Sequence, residues 1–237
     1  MKIRIKFRKW GVMKFIGHLD MMRYFQKAIR RANIDIRYSE GYSPHQIMSF
    51  AAPLGVGITS DGEYFDIEVN ETLSSKEALE RLNRTMVDGV EAVSYVKLPD
   101  NAKTAMSLVA AADYRLSYKE GFKSPYTKSQ WQEIIRKYFL EPDSFNIIKK
   151  TKKSEREIDL KPLVYALEVE GDDENPSFFL QVSTGSTDNI KPELALSSVY
   201  EKCGLSYDEN AIQIHRLEVY AREDNKLVAL DAMGEEI

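Results

Sequence analysis

Lys2-Ile-Arg-Ile-Lys-Phe-Arg8 and, a short way on, Gly17-His-Leu-Asp-Met-Met-Arg-Tyr-Phe-Gln-Lys-Ala-Ile-Arg-Arg-Ala32 set the rhythm of the fold. In the first run Ile3, Ile5 and Phe7 alternate with Lys2, Arg4, Lys6 and Arg8, the period of two of a half-buried strand whose outward row is basic. In the second, Leu19, Met22, Phe25 and Ile29 recur at helical spacing, so Arg23, Lys27, Arg30 and Arg31 fall mostly off the apolar stripe. Asn33 suits the helix end. Alternation returns in Ile34-Asp-Ile-Arg-Tyr38, a second strand runs through Met48 to Ala52, and a third through Glu63 to Val69. Ser74 and Glu77, three apart ahead of Leu79, Leu82 and Met86, read as a capping box opening a second helix, and Val90 to Val96 as a further strand. Strand, helix, strand, strand, helix, strand is the ferredoxin-like order, in which one sheet face packs on two helices and the other is left open.

The second half repeats that order. Tyr114 to Tyr118 reads as a strand, Ser129 to Leu140 as a helix ended by Pro142, and Phe145 to Lys149, Val164 to Val169 and Phe178 to Val182 as strands. Pro192 opens a helix to Lys202, and Ile212 to Tyr220 closes with alternation. The expected architecture is therefore α+β, two tandem ferredoxin-like (βαββαβ) domains with antiparallel sheets. The N-terminal domain takes residues 1–98, a connector 99–112, and the C-terminal domain 113–237.

Charge is distributed unevenly. Residues 1–37 hold eleven Lys and Arg against Asp20 and Asp35, a charge of +9, so with a net charge of -4 the remainder carries -13. Such a chain attracts a polyanion at one end and turns it away at the other. No run of about eighteen apolar residues is present and no signal peptide opens the sequence, so a cytoplasmic protein without membrane contact is expected. The single cysteine, Cys203, has no partner for an internal disulfide or a thiolate metal site and reads as buried filler.

Residues that are neither ordinary core nor ordinary surface gather between 14 and 57. Two of the three histidines, His18 and His45, lie there. His18 and Asp20 stand where a strand hands over to a helix, and first-turn amides suit an anion. After the helix, Tyr38-Ser-Glu-Gly-Tyr-Ser-Pro-His45 combines Ser39, a permissive Gly41 and a stiffening Pro44. Lys14, His18, Arg23, Lys27, Arg30, Arg31, Ser39, Gly41 and His45 are the candidate nucleic-acid contacts, joined by Lys149, Lys150 and Lys152 of a basic hairpin in the second half. His18, His45 and Lys14 are also candidates for acid and base work on RNA, since imidazole titrates near neutrality and a cation stabilises a pentacoordinate phosphate. Each has a plainer reading as a cap, a packing residue or a solubilising lysine. His18, Asp20 and His45 lack the spacing of a dependable metal motif, and Gly55-Val-Gly57 makes no nucleotide fingerprint, so no metal and no cofactor is expected.

At Lys14-Phe-Ile-Gly-His-Leu-Asp-Met-Met-Arg23, Tyr38 to His45, Ala52-Pro-Leu-Gly-Val-Gly57, Glu63-Tyr-Phe-Asp-Ile67 and Glu157-Ile-Asp-Leu-Lys-Pro-Leu163 the chain resembles the radical SAM-linked protein family, a domain of unknown function. In that family the domain stands alone or forms the C-terminal part of a B12-binding radical SAM protein. The resemblance implies Lys14, His18, Asp20, Arg23, Arg31, Ser39, Gly41, Pro44, His45 and Glu63 as motif positions and a radical SAM protein as partner. Because the chain lacks a Cys-x3-Cys-x2-Cys motif, any cluster chemistry belongs to that partner. The expected function is an RNA-binding accessory protein that presents tRNA or rRNA to a radical SAM enzyme. The alternatives are an RNA-cleaving or RNA-modifying enzyme using His18 and His45, and a protein-only adaptor of the radical SAM enzyme.

Overall fold

The pairing of the first strand explains the layout around the site. In the computed structural model, which describes residues 1–150, 155–185 and 188–237, β1 (Lys2–Lys9) runs antiparallel to β3 (Thr59–Glu68) and to β4 (Val90–Lys97). Between them come α1 (His18–Arg31), the short β2 (Met48–Phe50) and α2 (Ser75–Asn83). The chain continues through α3 (Ala105–Leu108), β5 (Val109–Tyr118), α4 (Lys128–Ile135), β6 (Asn146–Lys150), β7 (Glu155–Asp159), β8 (Val164–Gly171), β9 (Pro176–Ser183), α5 (Pro192–Lys202), β10 (Ile212–Glu223) and β11 (Lys226–Ala229). Among the described residues the hydrogen-bonded order is β4-β1-β3-β10-β5-β9-β8, with β2 also on β3 and β11 also on β10, a nine-stranded sheet in an α+β fold.

That order does not show two tandem ferredoxin-like domains. β6, expected as a strand of the second, instead pairs with β7 in a separate two-stranded sheet. Ile147 is buried and Ile148 exposed, so the segment buries one face only, and the nearest extended stretch in sequence satisfies its backbone at little loop-closure cost. Two compact units result, residues 1–111 with 216–237, and residues 112–215; the chain leaves the first within β5 and returns within β10.

In the first unit, Ile3, Ile5 and Phe7 of β1 and Phe65 and Ile67 of β3 pack with Met21, Phe25 and Ile29 of α1 and Ala78 and Leu82 of α2. The helical stripe keeps Phe25 and Ile29 of the sequence reading but takes Met21 ahead of Met22 and leaves Leu19 out. Met21, Phe25, Ala28 and Ile29 are buried, Met22 is half-buried, and Leu19 is exposed. Asn33 does end the helix, at φ 52°, the left-handed conformation in which asparagine is tolerated. Ser74 caps α2 by accepting from the Glu77 amide at 3.3 Å.

The opposite face of β1, expected to be open and basic, is covered at Arg4, half-covered at Lys2 and Lys6, and open at Arg8. Arg4 is 0% exposed. Its register partner on β3 is Asp66, and Nε and Nη2 donate to the two carboxylate oxygens at 2.8 and 3.0 Å, while Nη1 donates to the Leu230 carbonyl at 3.0 Å. The Ala105 amide adds a bond to Asp66 Oδ2 at 2.7 Å. Arg4 is covered because segments at 103–105 and 230–233 lie over it, contacts of high sequence separation that local periodicity does not encode.

In the second unit, Trp131 of α4 is wholly buried against Phe178 and Tyr200, its indole N–H donating to Ser124 Oγ at 2.8 Å. Thr127 and Gln130 form the reciprocal capping box of that helix, which continues as a π-helical turn over Arg136–Leu140. Among the described residues no helix is long and apolar enough to cross a membrane.

Candidate nucleic-acid interface

Of the eleven cations of residues 1–37, five lie on β1 and four on α1, and the two groups differ. On β1, carboxylates meet Arg4, Lys6 and Arg8, and Lys2 donates to the Ala102 carbonyl at 2.8 Å. Besides Arg4 with Asp66, Lys6 Nζ lies 2.5 Å from Glu218 and 3.8 Å from Asp231, and Arg8 lies 3.6 Å from Asp61 and 3.7 Å from Glu91. Tyr64 joins the Lys6 group, donating to Glu218 at 2.6 Å and Asp231 at 3.0 Å; burial first, then those two carboxylates, hold its phenol far above the usual tyrosine range. The strand cations are therefore part of the molecule's internal charge balance.

On α1, Arg23, Lys27, Arg30 and Arg31 are exposed. Arg23 forms a 3.1 Å pair with Asp20 one turn back, both exposed. Lys27, Arg30 and Arg31 have no carboxylate within ion-pair distance among the described residues, and the last two sit where cations complement the negative end of the helix. Amphipathic packing dictates this: the buried stripe fixes the rotation of the helix and turns these residues to solvent.

A hairpin loop is anchored beside this helix. The Ser39 amide donates to the His45 carbonyl at 2.8 Å, the Ile47 amide to the Arg37 carbonyl at 2.9 Å, and Tyr38 bridges Gln46. Gln46 Nε2 then reaches the Gln26 carbonyl of α1 at 3.2 Å. The tip is braced by Ser39 Oγ, which accepts from the His45 amide at 3.1 Å and bonds to His45 Nδ1 at 2.9 Å. Gly41 turns the chain at φ +106°, a conformation that would strain any side chain, with no atom within 4 Å of where a Cβ would lie. Ser39, Gly41 and His45 therefore do come together, at an exposed tip that also carries Tyr38 and Tyr42.

His18 belongs to different surroundings. It opens α1 with its ring edge-on to Phe50 at 5.2 Å, and it lines a cavity of about 10 Å³ with Phe7, Lys9, Met21, Phe50, Leu54 and Glu63. The contacts of His18 and of His45 have no member in common, so the two imidazoles are not brought together as an acid and base pair. Lys14 lies on the 3-10 turn Gly11–Phe15, over the Phe15 ring.

Behind His18 is a buried charged cluster. Glu63 and Arg216 are bidentate at 2.7 and 2.6 Å, and Arg216 also donates to the Ala52 carbonyl at 2.8 Å. Lys9, 2% exposed, donates to the Ile16 carbonyl at 2.6 Å. Burial pulls its ammonium below the usual lysine range, with Glu63 opposing and Arg216 assisting. Of these, the resemblance named Glu63 alone. Lys9 and Arg216 had a signal in the sequence, each continuing the inward parity of its strand, after Ile5 and Phe7 and after Ile212 and Ile214.

In the second half, Lys149 and Lys150 lie on β6, and Lys149 Nζ donates to the Asn189 carbonyl at 3.0 Å. Lys152 lies outside the described residues. Among the described residues no group of three His, Cys, Asp or Glu side chains could hold a metal ion.

A family model described as "Uncharacterized protein conserved in bacteria (DUF2344)" matches residues 2–192. A comparison with curated proteins finds no match. Among solved structures, a chain of "Crystal Structure of a Cbf5-Nop10-Gar1 Complex" aligns at 12% identity and a TM-score of 0.48, over 96% of this chain and 52% of that one, so the present chain spans about half its length. A second, "Crystal Structure of an Unknown Protein from Galdieria sulphuraria", aligns at 11% identity and a TM-score of 0.23, over 91% and 96% of the two chains. At such values neither likeness bears on what this chain does.

Proposed function

The chain belongs to the DUF2344 family of uncharacterised bacterial proteins, and from that premise we propose that it is an RNA-binding accessory protein that holds phosphates along the exposed face of α1. The observation that carries this is the contrast between the two sets of cations: Arg4, Lys6 and Arg8 of β1 are met by carboxylates, whereas Lys27, Arg30 and Arg31 are not, beside a hairpin of exposed tyrosines and a histidine. Exposed cations without counter-charges on the protein are neutralised by small ions, and a phosphate backbone that displaces those ions gains their release. In this reading the RNA is a tRNA or rRNA and the accessory protein presents it to a radical SAM enzyme. Val12, Phe15 and Leu19, exposed on either side of Gly17 in sequence, and the exposed Val56, which reaches Gly17, are the surface we assign to that enzyme, since exposed apolar side chains of this kind mark contact with another protein.

The test is binding of total tRNA and of rRNA fragments across a salt series. Affinity falls as salt rises, and replacing Lys27, Arg30 and Arg31 together by glutamine lowers both the affinity and its salt dependence. Binding that is indifferent to salt, or unchanged in that variant, rules the reading out. Nothing in the separate surroundings of His18 and His45 favours an RNA-cleaving enzyme.

A further inference from the structure

We propose that the 38–47 hairpin selects unpaired RNA by offering Tyr42 as a stacking platform, an inference that rests on the RNA reading above and names the form of RNA it takes. Tyr42 is 111% exposed, more than in an extended reference chain, so both faces of its ring are open to a ligand. Gly41 before it brings no side chain to crowd the ring, and no atom lies within 4 Å of where one would begin.

An exposed aromatic on a mobile tip would lose most of the benefit of stacking to the entropy of being ordered. This tip is closed at its base. Ser39 and His45 close it through three hydrogen bonds, amide to carbonyl, amide to hydroxyl and one shared between the hydroxyl and imidazole Nδ1, and Pro44 fixes the backbone between Tyr42 and His45. Gln46 ties the returning strand to the Gln26 carbonyl of α1, which anchors the foot of the hairpin on the helix that carries Lys27 and Arg30. His45 spends Nδ1 on this brace and keeps Nε2 as the ring atom left for a ligand, while Tyr38, 47% exposed, adds a second aromatic at the foot of the loop.

The form of nucleic acid follows from where base faces are found. In a duplex each base face is covered by its neighbours in the stack, so a single protruding ring meets only edges and backbone there. In a loop or single strand the faces are open, and every base has one, so such stacking is tolerant of sequence. The cations of α1 serve the phosphates of either form. Discrimination therefore lies in the hairpin and affinity in the helix.

The experiment compares a short unstructured oligoribonucleotide carrying 2-aminopurine with the same strand annealed to its complement, against the whole protein and two variants. The wild type is expected to bind the single strand about tenfold more tightly than the duplex, with a change in 2-aminopurine fluorescence on binding. Tyr42→Ala, at a fully exposed position that leaves the fold intact, is expected to remove that preference and the fluorescence change without altering duplex affinity, and Tyr42→Phe to retain both. Equal affinity for the two forms, or a preference that survives Tyr42→Ala, overturns the platform while leaving the α1 phosphate contacts standing. Failure to bind either form sinks the RNA reading itself.

Discussion

β1 and α1 are both rich in cations, separated by a short turn, yet those cations have opposite roles. On the strand, three basic side chains find carboxylates, Asp66 for Arg4, Glu218 for Lys6, and Asp61 and Glu91 for the exposed Arg8, while Lys2 and Lys9 donate to the Ala102 and Ile16 carbonyls. On the helix, the apolar stripe takes one face and leaves Lys27, Arg30 and Arg31 in water. A count of positive charge in the amino-terminal region would treat the two sets alike. What distinguishes them is whether a carboxylate lies within reach, and that depends on which distant segment packs above.

The comparison can be broken most severely at the strand side. Asp66→Ala leaves Arg4 charged and enclosed, and Glu63→Ala does the same to Arg216; each is expected to cost about 3–5 kcal/mol of stability, read from denaturant midpoints. A loss below about 1 kcal/mol would mean that water reaches these groups and that the strand cations resemble the helix ones after all. On the helix side, Lys27→Gln, Arg30→Gln and Arg31→Gln combined should leave stability within about 0.5 kcal/mol per site and reduce the slope of log affinity for RNA against log salt by about two.

Lys9 sharpens the contrast through pH. Its folded-state pKa lies below the 10.5 of an unfolded lysine, so between those two values the unfolded chain binds the extra proton and stability rises with pH. Below the folded value the full cost of burying the ammonium is present. In Lys9→Met that dependence vanishes, so the stability of the wild type relative to the variant should climb as pH approaches 10.5 from neutrality. The shifted tyrosines are common to both proteins and cancel in the difference. A flat difference would show that the ammonium is not desolvated. The smallest effect belongs to the exposed pair on α1: Asp20→Ala should change stability by under about 0.5 kcal/mol, because both partners are solvated.

Local periodicity made the first unit's elements legible. The alternation of Ile3, Ile5 and Phe7 marked β1, Asn33 marked the end of α1, and Ser74 the start of α2. The helix cations and the closeness of Ser39, Gly41 and His45 were legible for the same reason, being short-range consequences of a stripe and a turn. Pairing partners were not. Nothing near Arg4 announces Leu230, nothing near Glu63 announces Arg216, and the short run Asn146 to Lys150 fits a small hairpin as well as a central strand. Lys9 was an overlooked signal: a lysine on the inward parity of a strand needs a buried acceptor, and the Ile16 carbonyl is that acceptor.

The first unit is closed by residues far along the chain. Arg216, Glu218, Leu230 and Asp231 all complete contacts with β1 and β3, and the Ser75 amide of α2 bonds to the Ile237 carbonyl. As the polypeptide leaves the ribosome, residues 112–215 emerge in full while Glu63 and Asp66 still wait for those contacts. The inserted unit thus has the earlier opportunity to fold, and the unit containing the amino terminus is the last to be finished.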